Sequence, residues 1–392
     1  MAAFTTILAL AAAAFHVATA RGAPRCSSPV PLLVRLTTSE AVADVEKRAV
    51  TVVAGPPCWT RRNESEARRA RSGRLAGCAF GGGVALRAPL PPALLEASGV
   101  AASGEFPGRI YTHNDGGADG GTLYALDATN RSGAVLAVYK LRGGGDDDGV
   151  TSDGSDWEDV AVAREPLAPR RWKVYVGDIG NNGGRRRVVR VLRFDEPPPP
   201  VALPVSLPSS EVPGAVPHVF IDGFDTLRLE YPKSARDDVG RYPDAETLIV
   251  DPTRGDIFLV AKERDPGKRE AKETAPGARV YRARYPYSAQ RKNRLTYVGR
   301  LGFSGQIVGG DVSRDGEELL LKTPGEVLHV RCGDLSVSPQ PYVREVQGEA
   351  IGFATDGSGY YTVSERSVKK NGKSKRMAPA VDGGVIFHPR MA

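Results

Sequence analysis

Carboxylates recur in this chain in one setting: each stands at the start of an apolar, strand-like stretch. The phrases read Glu96-Ala-Ser-Gly-Val-Ala, Asp156-Trp-Glu-Asp-Val-Ala-Val and Asp244-Ala-Glu-Thr-Leu-Ile-Val, with a weaker copy at Gly309-Gly-Asp-Val-Ser and a fifth at Gly348-Glu-Ala-Ile-Gly-Phe. Oxygen donors gathered from several such phrases would suit a hard cation such as calcium, and no soft ligands compete. One phrase alone cannot do this. The elements that carry them must bring them together.

Those elements are short strands. Aligning Ser98, Glu158, Glu246, Gly310 and Glu349 gives spacings of 60, 88, 64 and 39 residues. Self-similarity at tens of residues implies a radial or stacked repeat. Each phrase is followed by a turn and a second apolar strand, and most repeats offer four strands, which is one propeller blade. The runs are 99–102, 109–113, 122–127 and 135–141; 160–163, 173–176, 188–194 and 224–231; 247–251, 256–261, 278–285 and 295–301; 312–314, 318–322, 326–331 and 342–346; then 350–354, 360–363 and 384–388. The fifth repeat is one strand short. Gly83–Ala88 is a strand without a blade, and placed beside repeat five it closes the ring and removes exposed sheet edges. The expected fold is an all-β propeller of five counted repeats, with five or six blades according to whether residues 30–81 build another. The Pro-rich insert from Pro197 to Pro217 cannot be a central strand.

Strand direction turns the pattern into a site. The innermost strand of a blade starts at one face of the disc, and the antiparallel second strand ends at that same face. The second strands end on His113-Asn114-Asp115, Gly177-Asp178-Ile-Gly-Asn181-Asn182, Lys262-Glu263, Lys322-Thr323 and Ser364-Glu365. Candidate metal ligands are therefore Glu158, Asp178, Asn181, Glu246, Asp311 and Glu349. Asn114, Asp115, Lys262, Lys322 and Glu365 are candidate ligand-binding residues at the same mouth. So many carboxylates require lysine partners, bound protons or a cation. The competing interpretation is that each acid closes its own blade by accepting backbone N–H groups, with Trp157 as packing.

Other chemistry finds little support. No His adjoins a Gly-x-Ser-x-Gly elbow. Gly143-Gly-Gly-Asp-Asp-Asp148 lacks the Lys-Ser/Thr of a phosphate cradle. Net charge is +7, but the basic clusters at 61–62, 68–74, 185–187 and 369–376 carry no interleaved aromatic platforms, so nucleic-acid binding is not expected. An apolar run from Ile7 to Phe15 precedes Ala18-Thr-Ala20, as in a secretory signal over residues 1–20. No other stretch reaches the roughly 18 apolar residues of a membrane span. Residues 21–81 form an irregular, Cys- and Arg-rich segment, and 82–392 the propeller. The expectation is a secreted, extracellular monomer, with glycosylation sequons at Asn63 and Asn130.

The ordered motifs His113-Asn-Asp-Gly-Gly, Trp157-Glu-Asp-Val-Ala, Gly177-Asp-Ile-Gly-Asn-Asn, Asp244-Ala-Glu-Thr-Leu and Gly348-Glu-Ala-Ile-Gly-Phe resemble a group of secreted β-propeller proteins related to the TolB-like and SdiA-regulated propellers. The resemblance covers about residues 83–388 and implies no particular activity. More distantly, calcium-dependent phosphotriesterases, lactonases and β-propeller phytases share this architecture, a likeness of fold alone. The reading is thus a propeller that binds a cation or small polar ligand at an acidic channel mouth. The alternative is a calcium-dependent hydrolase of phosphoesters or lactones.

Four cysteines, Cys26, Cys58, Cys78 and Cys332, form an even set in a chain read as secreted, which predicts two disulfides. Cys58–Cys78 with Cys26–Cys332 is the favoured pairing of three. Thiol titration of denatured, unreduced protein is expected to find no free thiol; four would refute both the pairing and the secreted setting.

Overall fold

Alternating apolar residues send side chains to both faces of a strand, and here both faces are covered. A computed structural model of the chain describes residues 79–391 apart from 87–89, 92, 117–120, 130–131, 143–154, 201–215, 264–276, 302–305, 332–335, 344, 346 and 366–383, together with 30–31 and 34–35. The four cysteines, both sequons, the acidic loop 143–148, the signal segment and the basic stretches at 61–74 and 369–376 lie outside the described residues.

The chain forms a five-bladed β-propeller. Blade 1 runs outward from β4 (Ala97–Ala102) through β5 (Arg109–Asn114), β6 (Thr122–Asp127) and β7 (Val135–Leu141) to β11 (His218–Ile221). Blade 2 is β8 (Trp157–Glu165), β9 (Ala168–Asp178), β10 (Val188–Asp195), β12 (Asp225–Glu230) and β16 (Asn293–Arg294). Blade 3 is β13 (Ala245–Val250), β14 (Ile257–Ala261), β15 (Ala278–Ala283), β17 (Thr296–Leu301) and β2 (Val34–Arg35). Blade 4 is β18 (Gly309–Val312), β19 (Glu318–Lys322), β20 (Val327–Arg331), β21 (Ser336–Gln340) and β1 (Val30–Pro31). Blade 5 is β22 (Gly348–Phe353), β23 (Gly359–Ser364), β24 (Val385–Pro389) and β3 (Val84–Ala85). The innermost strands touch in cyclic order β4, β8, β13, β18, β22 and back to β4.

Five apolar layers fill the five gaps between blades. One example, between blades 3 and 4, joins Ile249, Phe258, Val260, Leu319, Leu321 and Leu328. The others lie between blades 2 and 3, 5 and 1, 1 and 2, and 4 and 5. This is why β13, β14, β22 and β23 are buried along their whole length, without a solvent-exposed face.

The ring closes as expected. Val84 and Ala85 pair antiparallel with Phe387 and Ile386, and the Leu86 N–H bonds the Val385 carbonyl. Phe80 just before them is fully buried, edge-on to Tyr360 at 4.9 Å and to His329 at 5.4 Å. The Gln340 side-chain oxygen accepts the N–H groups of Ala79 and Phe80 at 2.8 and 3.1 Å.

Three details differ from the sequence reading. Among the described residues no sixth blade forms: Val30–Pro31 and Val34–Arg35 extend blades 4 and 3 at their outer edges. The fourth strand of blade 4 is Ser336–Gln340, not 342–346. Pro341 ends the ladder there, and Tyr342 turns inward, where its hydroxyl meets Lys322 and Glu345. Two outer strands, β11 and β16, join blades 1 and 2 in parallel and arrive from later in the chain.

Phe80 locks the closing segment across blades 4 and 5. Phe80→Ala is expected to cost about 3–5 kcal/mol of unfolding free energy, the range for a buried aromatic truncation. Urea denaturation would measure it, and a loss below about 1 kcal/mol would show that closure does not depend on this ring.

Candidate functional site

Four of the five inner strands carry a β-bulge at the same place. The register shifts between Ser98 and Val100, Trp157 and Asp159, Ala245 and Thr247, and Gly348 and Ala350. The residues skipped by the ladder are Gly99, Glu158, Glu246 and Glu349. A bulge re-aims its extra residue away from the normal alternation. The structural equivalent of Glu158 in blade 1 is thus Gly99, one residue beyond the Ser98 chosen from sequence. Gly99 has a φ of 61°, and an added Cβ would crowd His113 Nε2, Val160 N and Asp159 Cα. Ser98 instead donates its hydroxyl to the Glu158 carbonyl at 2.6 Å.

Strand pairing sets these starts against the ends of the second strands: Ala97 opposite Asn114, Trp157 opposite Asp178, Ala245 opposite Ala261, Gly309 opposite Lys322 and Gly348 opposite Ser364. The carboxylates of Asp115, Asp156 and Glu158 form one group, and those of Glu158, Asp244 and Glu246 a second, with ligand oxygens within 4.8 Å of one another in each. Two oxygens ligating one calcium are at most about 5 Å apart, given bond lengths of 2.3–2.6 Å. Each group can therefore serve a single ion.

Lys262 extends into the cluster from just beyond β14, with Nζ 2.9 Å from Glu246 and 3.8 Å from Glu349. Burial raises the Glu158 carboxyl well above its ordinary range, with Glu246, Asp115 and Asp156 adding repulsion. Burial also lifts Asp115 to about 7, reinforced by Asp156 and Glu349, and Glu365 to about 8, reinforced by Glu349 and Asp115. Glu246 is raised by burial even though Lys262 opposes the shift, while Lys262 is held charged by Glu246 and Glu349. Glu158 Oε1 is buried and has no hydrogen-bond partner among the described residues.

The remaining candidates are engaged in holding the frame. Asp178 pairs with Arg190 at 2.5 Å and Arg186 at 2.8 Å, and accepts the Asp156 N–H. Asn181 fixes a loop, donating to the carbonyls of Arg186 and Pro243 and accepting the Arg186 N–H. Its own N–H goes to Asp244. Asp311 accepts the N–H groups of Val312 and Phe353, and burial carries its carboxyl to about 7. Lys322 is fully buried and donates to the Gly348 carbonyl and the Tyr342 hydroxyl. Asn114 accepts the Glu96 N–H and donates to the Ala93 carbonyl. Glu365 accepts from Gln347. Trp157 is buried, with its ring edge-on to His113. Sequence reasoning passed over Asp156 and Asp244, although both open the acidic phrase two residues before the bulge glutamate. A cleft of about 800 Å³ lies at the opposite face, bordered by Arg314, Phe353 and Arg390. Two of its three arginines are engaged there by protein groups, Arg390 by Glu318 and Arg314 by the carbonyls of Ser103 and Gly104.

Fold and site together define a β-propeller with an acidic channel mouth. No family model matches the chain, and no curated protein is similar to it. Solved structures that align with it include a candidate 6-phosphogluconolactonase from Bacteroides uniformis, at 14% identity over 78% of this chain and 74% of that one, with a TM-score of 0.31. Others are U3-55K and the RRP9 WD40 repeats, at 11% and 10% identity, each over 75% of this chain and 67% of its own, with TM-scores of 0.30. Among the described residues no helix is long and apolar enough to cross a membrane.

The raised carboxyls set a pH dependence. A carboxyl whose folded pKa exceeds its unfolded value stabilises while protonated, and that contribution is lost as pH rises through the folded pKa. With a chelator present, the urea midpoint is expected to fall from pH 6.5 to 8.5, as Asp115 and Glu365 ionise. The fall should be smaller in Glu365→Gln, and identical slopes in the two proteins would refute the assignment.

Proposed function

We propose that this propeller binds a divalent cation at the acidic mouth, and that calcium is the ion its donors suit. The observation that carries the reading is Glu158, whose Oε1 is buried with no hydrogen-bond partner among the described residues, beside two further carboxylates in each of its two groups. A buried acceptor without a donor is costly, and an ion there would remove the cost. All donors are oxygens, which favours calcium over softer metals. The resemblance of its motifs to TolB-like and SdiA-regulated propellers and the apolar N-terminus support an extracellular setting. Calcium sites in extracellular modules work at Kd values of about 10⁻⁴–10⁻³ M.

The bound ion would fix a polar ligand over the mouth, with Lys262 offering the one ammonium of the cluster that is directed at the acids. Hydrolysis of phosphoesters or lactones would additionally require an open position on the ion for water or substrate. Assays on both substrate classes at millimolar calcium decide between binding and hydrolysis.

Thermal unfolding tests the reading. Calcium added to chelator-stripped protein is expected to raise Tm, by the equivalent of about 2.7 kcal/mol at a hundredfold excess over Kd. Glu158→Gln, which removes a carboxyl whose ionisation burial opposes, should raise Tm without calcium and abolish the response. A stripped wild type indifferent to calcium, magnesium and manganese would overturn the proposal.

A further inference from the structure

The two carboxylate groups share a residue: Glu158 belongs to the set with Asp115 and Asp156 and to the set with Asp244 and Glu246. Resting on the cation reading above, we propose that the mouth is a two-ion site, with the Glu158 carboxylate bridging a pair of divalent cations.

Three observations carry it. First, each group supplies three oxygens mutually close enough for one ion, and the outer members come from different blades: Asp115 from the end of β5, Asp244 and Glu246 from the start of β13. A single ion centred on either set leaves the other set uncompensated. Second, Glu158 is only 2% exposed and its Oε1 has no hydrogen-bond partner among the described residues, so the residue common to both groups carries an unsatisfied oxygen. Third, space is kept beside it. A Cβ on Gly180 would overlap both Glu158 Oε1 and the Asp156 carboxylate, so the turn after β9 approaches these oxygens as only glycine can.

Charge points the same way. Asp115, Asp156, Glu158, Asp244, Glu246 and Glu349 interact with one another; Lys262 is the cation set among them, with Arg186 acting on Asp156 and Lys322 on Glu349 from their own carboxylate partners Asp178 and Glu345. Once ion binding has displaced the protons that burial favours on Glu158, Asp115 and Glu246, one divalent ion and one lysine leave the ionised cluster net negative out of water, which is unfavourable. A second divalent ion brings the cluster close to neutrality. Lys262 sits on the Glu246 side, 2.9 Å from its carboxylate, so the second ion binds against a tethered competitor and should be the weaker of the two. Bridging carboxylates typically hold two ions about 3.5–4 Å apart.

Calcium titration of the chelator-stripped full chain by calorimetry gives the count. Two ions per chain are expected in the wild type, one in Asp115→Asn and none in Glu158→Gln. Lys262→Met should tighten the weaker step and leave the tighter one unchanged. Manganese loading supplies a second readout: two bridged ions give an exchange-coupled paramagnetic resonance spectrum. One calcium in the wild type would overturn the bridge while leaving the cation reading intact. Two calcium ions with uncoupled manganese spectra would also overturn it, since the sites would then be remote. No calcium at all would overturn the cation reading itself. Circular dichroism of each variant at 25 °C separates loss of binding from loss of fold.

Discussion

The free edge of the innermost strands is the constraint on which this propeller depends. Each inner strand pairs with its own blade on one side only. On the other side its N–H and C=O groups meet the next blade rather than water, and unpaired backbone groups there are costly. The chain answers with side chains. Asp159 of blade 2 accepts the Leu248 N–H of blade 3 at 2.9 Å, and Asp311 of blade 4 accepts the Phe353 N–H of blade 5 at 2.8 Å. Each also caps the N–H of the following residue in its own strand. Between blades 5 and 1 the backbones come closer still, and Gly352 faces the Val100 carbonyl where a Cβ would not fit. Some acids of the repeated phrase are therefore staples between blades. Burial raises their carboxyls; the paired N–H groups counter it, joined at Asp311 by Arg314.

Stapling fixes the phase of neighbouring strands, and the phase makes the site. With the inner strands held in step, the bulges of blades 2, 3 and 5 fall at one level of the disc. Each presents its extra residue, a glutamate, to the mouth. Blade 4 has no bulge, and its ladder runs unbroken from Gly309 to Val312. It contributes Gly310 at the equivalent place and sends Asp311 to the staple instead. Blade 1 contributes Gly99 there and supplies its acid from the second strand, as Asp115. The mouth is asymmetric for this reason, with carboxylates drawn from blades 1, 2, 3 and 5. Crowding them opposes folding, and the packed layers between blades supply the stability that tolerates it.

Much of this was legible. The repeats, the closing strand and the shared face of strand starts and second-strand ends follow from apolar runs and strand direction. What escaped sequence reasoning depends on single-residue register. A bulge shifts alternation by one position, so Ser98 was aligned where Gly99 stands, and Asp156 and Asp244 were passed over beside their glutamates. The parallel outer strands β11 and β16 return across sequence distances that local pattern does not encode. The fourth strand of blade 4 was misplaced because Tyr342 is apolar enough to read as strand, although its hydroxyl serves a buried lysine.

That lysine and its counterpart show how far one residue of register reaches. Lys322 and Lys262 both end second strands and both looked like mouth residues. Lys322 is the last residue of the β19 ladder, opposite Gly309, and its side chain enters the layer between blades 4 and 5. There it meets Gly348, Tyr342 and Glu345, and burial lowers its affinity for a proton. Lys262 stands one residue past the last pair of β14, beyond the bulge, and alternation turns it the other way. It reaches the carboxylates and is held charged by them. The same residue type, at nearly the same place in two blades, thus fills a core position in one and sets the charge balance of the mouth in the other.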